Sequence, residues 1–134
     1  MEKFTFPKGI GKFLQNNIIL VNIGKENIFQ MELKMNRKGG RLYVKISGEI
    51  DHHNAPAIRE NVDLEVKSGG VRKLIFDFSG LTFMDSSGIG ILMGRYKLMQ
   101  LYGGSVTVVG ACDYIEKIIR LSGLENIIIL QKAV

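Results

Sequence analysis

The sequence predicts an α/β fold: a mixed β-sheet with helices packed on it, in the order β β α β α β α β. Three observations carry this expectation. Segments with the period-two or continuous apolar pattern of strands alternate with segments of helical period. The first two helical segments end at glycine pairs, Gly69-Gly70 and Gly103-Gly104, where a chain readily leaves a helix. Strands separated by helices need crossover connections, so part of the sheet should be parallel.

The elements follow in order from Glu32. "MELKM" alternates, and "RLYVKISGEI" sets Leu42, Val44 and Ile46 against Tyr43, Lys45 and Ser47. The intervening "NRKGG" supplies turn residues, so the two runs predict a hairpin. In "DHHNAPAIRENVDLEVKSGG", Asn54 is a candidate N-cap and Pro56 suits the first turn. Ile58, Val62 and Val66 recur at fours, with Leu64 off that face. "VRKLIFDFSG" holds a near-continuous apolar run, Leu74, Ile75, Phe76 and Phe78, expected in a strand covered on both faces or in mid-sheet. A second helix is read in "SGIGILMGRYKLMQLYGG", with Ile89, Leu92, Tyr96 and Met99 on one face. "SVTVVG" is a β-branched strand, and Asp113 with Glu116 predicts a capping box opening a third helix. "NIIIL" is the last strand.

Composition bounds the function. The 134 residues are 46% hydrophobic and 23% charged, enough to enclose one core. A net charge of +5 raises the question of nucleic acid. The only basic run, five residues from Lys34 to Lys45 without an acid, has no motif or interleaved aromatic stripe, and no direct nucleic-acid partner is expected. The single cysteine, Cys112, reads as a small apolar core residue. With no second cysteine and no spaced histidines a zinc set is not expected, and a reducing cytoplasm fits. The longest apolar runs, Ile18 to Val21 and Ile127 to Leu130, are four residues each, too short for a membrane span.

Residues 1–30 do not join the pattern cleanly. An ordered accessory strand or helix, a mobile basic arm, and an upstream extension of a domain beginning at Met31 are the three readings. The division adopted is an N-terminal extension, 1–30, adding little to the core function, and a domain, 31–134.

"FMDSSGIGIL", Phe83 to Leu92, places an acid, two serines and two glycines at a strand-to-helix junction. A serine nucleophile would need the G-x-S-x-G elbow and a base, and the string is M-D-S-S-G. Gly88, Gly90 and Gly94 match neither phosphate-loop pattern. Gly88 and Gly90 could instead relieve crowding where the helix starts against the sheet. Ser86 or Asp85 is a candidate N-cap. A hydroxyl there is also exposed and rigidly placed, and the helix N-terminus would tolerate a phosphate whose charge, about −2, would block a docking partner. Capping alone and a phosphorylation switch are both open on local sequence.

"SGEIDHHNA", Ser47 to Ala55, and "LTFMDSSGIGILMGRYKLMQLYGG", Leu81 to Gly104, together resemble the two signature segments of the anti-sigma factor antagonists, single-domain proteins of the STAS superfamily. "LSGLENIII" matches as well. The likeness runs from about Met31 to Leu130, and is greatest to the sporulation antagonists of the sigma F system. It implies a STAS-like domain and a binding protein, not an enzyme, with no cofactor of its own. In the family, the unphosphorylated form binds an anti-sigma factor that is also a serine kinase, releasing the sigma factor. The kinase uses ATP to phosphorylate the serine after the Asp of D-S-S-G, and a PP2C-type phosphatase reverses this. The acceptor implied here is Ser86.

Asp85 would help position that hydroxyl, with Ser87 and Gly88 shaping the turn. Gly48, Glu49, Ile50, Asp51, His52 and His53 should lie beside Ser86, because both segments leave the same end of neighbouring strands. Asp51 is the leading candidate for a contact with a basic group of the kinase, or else a solvated turn acid. His52 and His53 lack metal-site spacing and are assigned to the partner surface. Arg95 is read as partner-facing or as a solvated helix charge. Two departures from the family are the segment before Met31 and the stop at Val134, where a further helix often follows. The latter leaves the cover of the last strand and one sheet edge open. A different reading is a STAS-like module that binds a small molecule or nucleotide, or acts in a stress-signalling complex.

Overall fold

The computed structural model describes residues 17–22 and 29–132. The rest of the 1–30 extension and the terminus at Val134 lie outside the described residues. The elements are β1 (Asn17–Asn22), β2 (Phe29–Lys38), β3 (Arg41–Ile50), α1 (Ala55–Lys67), β4 (Lys73–Asp77), β5 (Leu81–Met84), α2 (Ser86–Leu101), β6 (Ser105–Val109), α3 (Asp113–Leu121), a 3-10 turn (Leu124–Asn126) and β7 (Ile129–Gln131). Among the described residues this is a mixed α/β sheet with three helices. It contains two strands beyond the expected order, β1 and β5.

β2 and β3 form the expected antiparallel hairpin, closed by Gly39 and Gly40. Gly39 has φ of 60°, a left-handed value that glycine adopts without strain. The strands run in the order β1-β2-β3-β4-β6-β7, with β4, β6 and β7 parallel to β3. β4 pairs with the first half of β3, Arg41 to Lys45, and β5 with its second half, Gly48 to Ile50. β5 thus resumes the line of β4 after the break at Phe78–Gly80.

One face of the sheet is buried. Leu33, Val44, Ile46, Leu74, Phe76 and Val108 are fully enclosed and join Ile58 and Val62 of α1, Leu92 of α2 and Ile119 of α3 in a single core. β4 lies in mid-sheet as expected. Only alternate residues of β4 are buried, however: Leu74 and Phe76 are, while Ile75 and Asp77 are partly exposed, so it is not covered on both faces.

Several local expectations are corrected. α3 is N-capped by Cys112 with no side-chain capping bond, and Glu116 turns instead to Arg120, whose Nε donates to it at 3.0 Å. Cys112 is exposed, not core filler, because the chain has already left β6 at Gly110, whose φ is 77°. The buried stripe of α2 is Gly88, Ile91, Leu92, Arg95 and Met99, with Ile89 and Tyr96 at its margin. The face inferred from Ile89 and Tyr96 is therefore rotated, since neither glycine nor arginine carries an apolar signal. On α1 the expected stripe holds, with Leu64 52% exposed, but Glu65 is buried beside Val62 and Val66.

Candidate functional site

The parallel pairing of β3 with β5 sets Glu49 beside Phe83 and Ile50 beside Met84. One residue further, Asp85 N–H donates to the Ile50 carbonyl at 3.1 Å. The two motif segments therefore leave the sheet side by side, and the 48–53 turn lies next to Ser86.

Asp85 is the N-cap of α2. Its backbone is extended, with φ −97° and ψ −168°, and its Oδ1 accepts the Ser87 N–H at 2.8 Å. The Gly88 N–H donates to the Asp85 carbonyl at 2.9 Å. Ser86, the first helical residue, is exposed, and Ser87 is partly buried. The Ser86 hydroxyl thus sits on a rigid helix start whose free N–H groups favour an anion. Gly88 is required by space: a Cβ there would lie 2.1 Å from Met84 Cγ. At Gly90 a Cβ would meet nothing within 4 Å, so crowding explains the first glycine and not the second.

The neighbouring turn is held by a reciprocal pair. Asp51 Oδ1 accepts the N–H groups of His53 at 2.9 Å and Asn54 at 3.1 Å, and Asn54 Oδ1 accepts the Asp51 N–H at 3.0 Å. Asn54 Nδ2 also donates to the Glu49 carbonyl at 2.8 Å. Asn54 occupies the N-cap position of α1, yet its side chain makes no capping bond there, because it is spent backwards on the turn. Asp51 does the capping one turn earlier, a D-x-x-N arrangement equivalent to a capping box.

Gly48 has φ of 96° at a register shift between β3 and β5, so its role includes backbone geometry. Its carbonyl accepts the Thr82 hydroxyl at 3.0 Å. Glu49, His52 and His53 are exposed, the two imidazoles 4.0 Å apart and tilted by 37°. Among the described residues no group of three or more His, Cys, Asp or Glu could hold a metal ion.

Arg95 stands apart from this cluster. It is only 7% exposed, and its Nε lies 2.9 Å from Asp63 Oδ1 of α1, an ion pair close in distance but without hydrogen-bond alignment. Burial pulls its pKa down, Asp63 opposes that, and Arg59 adds to it. It is neither partner-facing nor solvated; it joins α1 to α2. Conversely, Phe83 was not singled out by sequence. It is 38% exposed, in register with Glu49 and three residues before Ser86. Its outward direction follows from the buried-exposed-exposed-buried pattern of β5, which the apolar string "LTFM" does not reveal.

Residues 32–134 match the STAS domain. The anti-sigma F factor antagonist of Paenibacillus polymyxa is 33% identical over 97 residues, covering 72% of this chain and 83% of that protein. The anti-sigma-B factor antagonist of Bacillus subtilis is 33% identical over 88 residues, covering 65% and 78%. The anti-sigma factor antagonist SpoIIAA is 26% identical in its unphosphorylated form, with a TM-score of 0.70 over 76% of this chain and 88% of that one. Its phosphorylated form, from Bacillus, is 26% identical with a TM-score of 0.65 over 76% and 91%. With two aligned signatures on a shared sheet end, the chain belongs to the STAS domain family, among its anti-sigma factor antagonists.

Proposed function

We propose that this protein is an anti-sigma factor antagonist switched by phosphorylation of Ser86. Unphosphorylated, it binds an anti-sigma factor that is a serine kinase and so releases the sigma factor, in the cytoplasm and during sporulation. The kinase transfers the γ-phosphoryl group of ATP to the Ser86 hydroxyl, and a PP2C-type phosphatase removes it. The chain itself is not an enzyme.

One observation carries this reading: Ser86 is exposed at the first position of α2, its neighbour Asp85 capping the helix and the 48–53 turn alongside. The related SpoIIAA exists in phosphorylated and unphosphorylated forms on this same fold. The docking surface is assigned to Gly48, Glu49, Asp51, His52, His53, Asp85, Ser87 and Gly88, with Phe83 as its apolar element. Asp51 and Asp85 leave adjacent strands, and with Glu49 they make an acidic rim that suits basic groups on the kinase. A phosphate on Ser86 would add about two negative charges to that rim and fill the space a partner needs.

The test is incubation of the purified chain with the anti-sigma kinase and ATP, followed by peptide mass spectrometry. A single phosphate on Ser86, absent without kinase, is expected. An active kinase that leaves Ser86 unmodified would sink the proposal. Ser86→Ala should bind the kinase persistently and take no phosphate, whereas Ser86→Asp should bind at least about tenfold more weakly if charge is the switch.

A further inference from the structure

The sheet has a second face, opposite the one under the helices, and its charges are sorted along the strands. Register partners share a face. Lys38, Arg41 and Lys73 form one row across β2, β3 and β4. Two residues along lie Asn36, Tyr43, Ile75, Thr107 and Ile129, and two further lie Lys34, Lys45, Asp77, Val109 and Gln131. Leu42, Val44, Leu74 and Phe76, which alternate with these rows, are buried, so the rows point away from the core. The middle row is the apolar one: Tyr43, Ile75 and Thr107 are half-buried and Ile129 is exposed.

A cavity of about 550 Å³ lies over these rows, a volume in the range of small-molecule sites. Arg41 and Lys73 line one end of it, Tyr43, Ile75 and Thr107 the middle, and Asp77 and Gln131 the other end. At about 3.3 Å per residue, the cationic row is about 7 Å from the apolar row and about 13 Å from Asp77. Asp77 Oδ1 accepts the Ser79 N–H at 2.9 Å, and Lys45 is its register partner, so that end carries both signs. The Arg41–Lys73 row carries cations alone, with the exposed Arg72 next to Lys73 in the chain.

This gradient selects the occupant. A nucleic-acid strand or an anionic membrane would lie across the whole face, meeting Asp77 and, one row beyond, Glu32, the register partner of Ser47. Tyr43 is also the single aromatic ring in the three rows, too few for a stacking platform. A small molecule needs to meet only the cationic row and the apolar row beside it.

We propose that the cavity binds a small organic acid, its carboxylate or phosphate held between Arg41 and Lys73 and its apolar body laid over Tyr43, Ile75 and Thr107. Arginine offers such an acid a paired donor edge, and lysine a point charge. Asp77 fixes the orientation by repelling the acid group from the far end. The site lies at the opposite end of β3 from the 48–53 turn and does not depend on the switch at Ser86.

The probe is anilinonaphthalene sulfonate, an acid on an aromatic body, compared with N-phenylnaphthylamine, nearly the same body without the acid. Each is titrated into the full chain and followed by fluorescence and by amide NMR shifts. Saturable shifts are expected at Tyr43, Ile75 and Thr107, with the sulfonate bound about tenfold more tightly than the neutral probe. Arg41→Gln with Lys73→Gln should abolish that preference and leave the urea midpoint in place, both side chains being exposed. Asp77→Asn keeps an oxygen for the Ser79 N–H and should hold or raise the sulfonate affinity; a loss would overturn the assigned orientation. No saturable shift, shifts confined to the helices, or equal affinity for the two probes would overturn the proposal. Face amides that move with protein concentration alone would overturn it too, giving the face to a second copy. So would phosphatidylglycerol vesicles that bind the parent chain and not the double variant, giving the face to a membrane.

Discussion

Two glycines flank the candidate site for different reasons, and substitution separates them. Gly88 has no room for a side chain, since a Cβ would overlap Met84 Cγ at 2.1 Å. Gly88→Ala should therefore cost about 1–3 kcal/mol by forcing Met84 and the start of α2 apart, read as a lower urea midpoint. At Gly48 the constraint is backbone, φ being 96°, and Gly48→Ala should cost about 1–2 kcal/mol through left-handed strain. Phe83 carries no such burden, being 38% exposed. Phe83→Ala should change stability by less than about 0.5 kcal/mol while weakening kinase binding; equal binding by titration calorimetry would remove it from the docking surface.

Between elements, the informative contact is the one joining α1 to α2. Arg95 lies within the buried stripe of α2 and can be there only because Asp63 faces it at 2.9 Å. Replacing the arginine alone strands a partly buried carboxylate. Arg95→Met should lower stability by about 2–4 kcal/mol, and Arg95→Met with Asp63→Leu should recover most of the loss. Additive losses in the double variant would show that the pair is not coupled. At the C-terminal end of α1, Arg37 of β2 donates from Nη1 to Ser68 Oγ at 2.9 Å and from Nη2 to the Gly69 carbonyl. It thereby satisfies acceptors at the helix end and ties the hairpin to the helix layer.

For the molecule as a whole, one buried acid sets an unusual pH response. Glu65 is 1% exposed, and neither carboxylate oxygen has a hydrogen-bond partner; Arg37 is 3.7 Å away. Burial pushes its carboxyl up to about 7, with Arg37 pulling the other way. Unfolded, it ionises near 4.5. Between those values the folded chain binds the proton and the unfolded chain has lost it. The contribution is complete below 4.5 and is lost as pH rises through about 7. In full it amounts to about 3 kcal/mol. Glu65→Gln should flatten that decline, so that urea midpoints of variant and parent diverge from about pH 5 to about pH 8, the variant being the more stable at the upper end. Parallel curves would mean that Glu65 is ionised throughout.

The hairpin, the helix boundaries at Gly69-Gly70 and Gly103-Gly104, the central place of β4 and the adjacency of the 48–53 turn to Ser86 were legible in the sequence, because turn chemistry and apolar period are local properties. So was the pattern of D-S-S-G at a strand-to-helix junction, where Asp85 proved to be the cap. What only the tertiary structure decided depends on partners distant in sequence. Arg95 reads as a surface cation until Asp63 is brought to it, and Glu65 as a solvated acid until α1 lays it on the hairpin beside Arg37. Cys112 reads as core until the chain turns outward at Gly110. The direction of Phe83 is undecided in the sequence until β5 fixes which of its four residues face out. A residue's own chemistry states what it can do in water or in a core; the fold chooses between them by supplying the neighbour.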